Sequence, residues 1–136
     1  MGNNIDASFD WVTARNSCSV GAVFEKLRLD VKTDVEKRQQ LRERNAEFGF
    51  LYGFTFASNF SKFSASIERR DGKRHSIIFV LMESCIVVVD ENDKELFSAS
   101  VTVNNDKECV VVVGDEELEQ WQFRKKALET LFFPND

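Results

Sequence analysis

The sequence predicts an α+β fold: a long N-terminal amphipathic helix, an antiparallel meander of about six strands forming a curved sheet or half-barrel, and a C-terminal helix. Three observations carry that expectation. Apolar residues recur at helical spacing from Val20 to Val35, give way to strict alternation after Glu47, and return to helical spacing after Gly114.

Residues 1–16 read as a loosely structured lead-in in which Asp10 caps a short turn of helix. Ser17 or Ser19 then starts the long helix, expected over 17–45. Val20, Phe24, Leu27, Val31 and Val35 share one face, and charged side chains occupy much of the rest. From Ser19 to Arg44 such a helix is about 39 Å long. That exceeds the depth of a small sheet, so the helix either breaks or projects its last turns.

The strands are expected at 47–56, 60–69, 75–82, 85–90, 95–103 and 108–113, with the 83–84 junction the weakest boundary. Between them lie turn-forming clusters, among them Asp71-Gly72, a hairpin signal. Connections this short make the pairing antiparallel. In 95–103, Phe97, Ala99, Val101 and Val103 alternate with Ser98, Ser100 and Thr102, a sheet with one face in water. Strand 75–82 is apolar on both faces. The closing helix is expected over 115–132: an acidic first turn suits its dipole, Leu118, Trp121, Leu128 and Phe132 share a face, and Pro134 ends it.

At 136 residues and 43 % hydrophobic content, the chain is expected to be one domain with a real core. Cys18, Cys85 and Cys109, an odd and scattered set, read as free thiols of a cytoplasmic protein. The start resembles neither a signal peptide nor a complete myristoylation motif, since Asp6 stands where Ser or Thr is required. No apolar run approaches a membrane span. Net charge is −5, unevenly spread: residues 77–136 hold five Lys/Arg against thirteen Asp/Glu. That balance argues against nucleic acid as partner.

Two sets of residues stand out. Phe48, Phe50, Tyr52, Phe54 and Phe56 form an alternating aromatic stripe on the first strand. The stripe is expected to lie in the core beneath the long helix; with Trp121 it would otherwise line a ligand site. Arg69, Arg70, Lys73 and Arg74 form a basic hairpin, which reads as a solvated tip or as an anion site. His75 with Cys85 or Cys109 is the only nucleophile–base pairing worth naming, and thiols among Val and Ile should be inert. No catalytic set, metal site or cofactor motif is expected. The sequence therefore points to a non-catalytic binding or assembly module, with a homodimer or another protein as partner. One alternative is a carrier of small apolar ligands, its cavity lined by Phe48, Phe50, Phe54 and the closing helix. The other is a module that binds a phosphate head group through the basic hairpin.

Overall fold

Two side-chain caps set the N-terminal helices of the computed structural model, which describes residues 8–134. The Asp10 carboxylate accepts the Thr13 N–H at 3.1 Å, and α1 (Trp11–Ser17) follows. Ser19 Oγ accepts the Ala22 N–H at 3.1 Å and starts α2 (Val20–Gln40). Phe24, Leu27, Val31 and Val35 are buried, as their spacing predicts. The helix has 21 residues, about 32 Å, so it neither breaks nor projects but stops short of the expected 17–45. Its last turn lies level with Phe54, whose N–H is taken by Gln39 Oε1 at 2.8 Å.

A small separate hairpin follows, β1 (Arg44–Asn45) with β2 (Gly49–Phe50). The main sheet then runs β3 (Tyr52–Ser58), β4 (Lys62–Arg69), β5 (Arg74–Leu81), β6 (Ile86–Asp90), β7 (Glu95–Val103), β8 (Cys109–Val113) and β9 (Glu116–Leu118). All seven strands are antiparallel and spatial order equals chain order. Strand β7 is shared: 95–99 pair with β6 and 100–103 with β8. A register slip after Val88 bends this region, and the sheet stays open between β3 and β9.

The expected helical start at 115 is corrected by β9. Gly114, at φ +61°, permits a tight reversal that an L side chain would strain. Residues 116–118 therefore pair back on β8 and Leu118 reaches the core. The acidic residues read as a helical first turn instead charge an edge strand. Helix α3 (Gln120–Phe132) begins after Glu119, whose N–H is capped by Gln122 Oε1 at 2.8 Å.

Both long helices pack on one face of the sheet. The core joins Phe24 and Leu27 of α2 and Phe123 and Leu128 of α3 to Phe63, Phe79, Val88 and Ala99 of the sheet. Ring contacts are continuous: Phe24–Phe63 at 4.9 Å, Phe63–Phe79 at 4.8 Å, Phe79–Phe123 at 6.1 Å and Phe123–Phe97 at 5.8 Å. The helices are tied together by Arg124, which meets Asp34 at 2.7 Å, and by Gln120, which donates to Asp30 at 3.0 Å. Helix α2 also guards the exposed edge of β3. Gln39 occupies the Phe54 N–H on that edge, and Arg28 donates to the Asn59 and Phe60 carbonyls of the β3–β4 turn at 2.7 and 3.2 Å.

The thiol expectation is also corrected. Cys18 and Cys109 form a disulfide, because the meander returns the first residue of β8 to the α1–α2 junction; Cys85 remains free. The bond closes 91 residues of chain. Removing such a cross-link costs about 2–5 kcal/mol. Cys18→Ala/Cys109→Ala should lower the urea midpoint accordingly, and alkylation without reductant should label Cys85 alone.

Candidate functional site

The aromatic stripe does not form one strand. Asn45 Oδ1 accepts the Glu47 and Phe48 N–H groups at 2.9 and 3.1 Å, turning the chain between β1 and β2. Gly49 then adopts φ +76°, which ends the alternation that the sequence suggests. Strand β3 begins only at Tyr52. Downstream, Tyr52, Phe54 and Phe56 pack toward the core, and Phe54 is 4 % exposed, edge-on to Phe132 at 5.7 Å. Upstream, Phe48 and Phe50 are 47 % and 41 % exposed. The expectation of a wholly interior stripe is thus right for its second half and corrected for its first.

Arginines gather round the uncovered rings. The Arg42 guanidinium lies 3.7 Å from the Phe50 ring centre and that of Arg44 lies 5.3 Å from it. Arg70 lies 5.1 Å from the Phe48 ring and donates to the Phe48 carbonyl. The Arg70 N–H in turn donates to the Leu51 carbonyl at 3.0 Å, so the small hairpin is seated against the β4–β5 turn. Gly72, at φ +89°, lets that turn close as the Asp71-Gly72 signal predicts. Arg69, Arg70 and Asp71 share a cavity of about 480 Å³ with Phe48, Leu51 and Tyr52. Lys73 and Arg74 stand exposed beside it. Arg69 is 3.9 Å from Asp71, too far for a tight pair. Arg42 Nη1 donates to the Tyr52 carbonyl at 3.4 Å and Arg70 to that of Phe48, so part of each guanidinium edge fixes the hairpin while stacking places the planar cations beside the apolar rings.

Arg38 marks the boundary between this surface and the core. It is 6 % exposed and lies between the rings of Phe54 and Phe133 at 4.6 and 4.7 Å. Its Nε donates to the Phe132 carbonyl at 2.8 Å and its Nη2 to Glu43 at 3.0 Å. One buried cation therefore binds α2, β3 and the end of α3 together.

The remaining sequence candidates fall elsewhere. Trp121 is 52 % exposed on α3, donates to Glu119 at 2.6 Å and lines a different cavity, of about 430 Å³, between the helices. It does not join Phe48 and Phe50. The carrier cavity expected between Phe48, Phe50, Phe54 and the closing helix does not assemble, because Phe54 is sealed in the core. Cys109, as half of a disulfide, is no nucleophile. His75 instead meets Glu91, Nδ1 to Oε1 at 3.2 Å, and Glu91 also accepts the Ser76 N–H at 3.0 Å. This pair sits at the mouth of a cavity of about 490 Å³ beneath α3, floored by Ile67, Ile77, Phe97 and Leu131. Sequence reasoning missed both Glu91 and that cavity; the signal lay in the pairing of two strands, not in a motif.

Among the described residues no cluster of His, Cys, Asp and Glu is placed to hold a metal ion, and no helix is long and apolar enough to cross a membrane. No family model, no curated protein and no solved structure matches the chain.

Glu43 reports on the boundary. Its hydrogen bond from Arg38 holds the carboxyl below the usual glutamate value of 4.5. A lowered folded value means the contact contributes above the unfolded pKa and is lost as pH falls through the folded one. In a carboxyl NMR titration Glu43 should therefore titrate below ordinary glutamates, and Arg38→Met should raise it.

Proposed function

We propose that the chain is a binding module that takes a phosphate-bearing anionic partner on the surface formed by residues 42–51 and 69–74. One observation carries the reading: Phe48 and Phe50 keep 47 % and 41 % of their surface exposed, and guanidinium groups are stacked against them. Six cations lie in these two segments, Arg42, Arg44, Arg69, Arg70, Lys73 and Arg74. Of the acidic residues among them, Glu43 is engaged by Arg38, leaving Glu47 and Asp71 in opposition. Guanidinium groups are weakly hydrated and pair well with phosphate oxygens in two-point contacts.

The reading predicts that inositol hexakisphosphate, used as a soluble phosphate probe, binds with an affinity that falls as salt rises. Lys73→Gln and Arg74→Gln should each weaken it roughly three- to tenfold. Calorimetry showing no binding at low salt would refute the reading.

A second reading, self-association, has its own support. The sheet face away from the helices carries Ile78, Val80 and Val87, half-buried, in the cross-strand pairs Ile78–Val89 and Val80–Val87. Ser64, Ser98 and Ser100 border them, and the rim also carries Lys62, paired with Val80, and Glu95, paired with Val89. A second copy placed there would bring apolar surface together inside a polar rim. Sedimentation velocity at micromolar concentration tests it: a dimer disrupted by Val87→Lys supports it, and a monomer refutes it. As to location, the Cys18–Cys109 bond favours an oxidising compartment over the cytoplasmic one expected from free thiols.

A further inference from the structure

We infer that the anionic partner is a lipid bilayer surface, with the β1–β2 hairpin lodged in its interface. The inference rests on the anion-binding reading and adds what the phosphate alone leaves unexplained. A soluble polyanion would satisfy the cations but leave Phe48 and Phe50 in water. A bilayer takes both kinds of group: aromatic rings settle at the boundary between headgroups and acyl chains, and cations meet the headgroup phosphates just above.

The geometry fits that division. Phe48 and Phe50 belong to the turn and second strand of a hairpin that forms its own two-stranded sheet, outside the main one. Cations stand on both sides of the rings: Arg42 and Arg44 before the turn, and Arg70 across from it on the β4–β5 turn. The charged ends of Arg42, Arg44 and Arg70 lie 3.7–5.3 Å from the ring centres, and their long stems let them rise to headgroup level as the rings enter.

Long-range charge supplies the orientation. Because strand order equals chain order, the charge asymmetry of the sequence becomes an asymmetry across the sheet. Residues 42–76 hold seven Lys/Arg against four Asp/Glu, whereas residues 77–136 hold five against thirteen. An anionic surface attracts the β4–β5 turn and the small hairpin beside it and repels the β8–β9 side, which turns the hairpin toward the bilayer before contact.

Vesicle co-sedimentation tests this on the full chain. Vesicles of phosphatidylcholine with about 30 mol % phosphatidylserine should retain the protein at low salt, and pure phosphatidylcholine should not. Lys73→Gln/Arg74→Gln should weaken partitioning by about 25-fold, at about fivefold for each cation lost near the surface. Phe48→Ser/Phe50→Ser should weaken it by about tenfold or more, a larger loss than the same variant shows for inositol hexakisphosphate. Both rings lie outside the core, so this variant should still unfold cooperatively. Retention of the soluble phosphate without vesicle binding would overturn the bilayer inference and leave the anion reading standing. Wild-type partitioning by the Phe48→Ser/Phe50→Ser variant would overturn the insertion. Binding to neither probe would overturn both.

Discussion

The row of phenylalanine rings that runs from Phe24 through Phe63, Phe79 and Phe123 to Phe97 is the contact on which the rest depends. It fixes both long helices on one face of the sheet and sets how far their cover extends. That cover ends at Phe54, where α2 has run out and Arg38 closes the gap between Phe54 and Phe133. Aromatic residues on the near side of this limit are core. Those beyond it, Phe48 and Phe50, are surface. The candidate site exists because the helical lid stops where it does, and residues beyond that limit are held by a different hairpin.

Much of this was legible in the sequence, and for physical reasons. The 4-3-4-4 spacing of α2 marks a face that must be buried, and it is. The alternation in β7 separates Ala99, 2 % exposed, from exposed Ser98, Ser100 and Thr102. Local turn chemistry places the β4–β5 hairpin. What was not legible depends on distant parts of the chain. Phe48 to Phe56 keep an unbroken period of two, so nothing local announces that Gly49 turns the backbone. Residues 115–118 suit either an acidic helix start or a charged edge strand, and pairing with β8 decides it. The Cys18–Cys109 bond joins residues 91 apart and has no local trace.

The site was half readable in the same sense. Both of its parts, the aromatic run and the basic hairpin, stand out as separate features. Their meeting does not, because it requires Arg70 to reach the Phe48 and Leu51 carbonyls across a sheet register set elsewhere. Arg42 and Arg44 read as the fading polar end of a helix, yet they leave the helix and stack on Phe50. Trp121 was grouped with the stripe because a closing helix was expected to face it, but it bonds to Glu119 at that helix's own start and lines the cavity between the helices. The meander topology then converts a charge gradient along the chain into one across the molecule, which gives the patch its electrostatic setting.

The central claim is that the aromatic run is divided at Leu51, between β2 and β3, with Phe54 sealed by the chain's own helices and Phe48 and Phe50 left partly to solvent. Hydroxyl-radical footprinting, read residue by residue by mass spectrometry, tests it most directly. The account predicts ready oxidation of Phe48 and Phe50 alongside protection of Phe54, Phe63, Phe79 and Phe123. Equal protection across Phe48, Phe50 and Phe54, or equal oxidation, would contradict it.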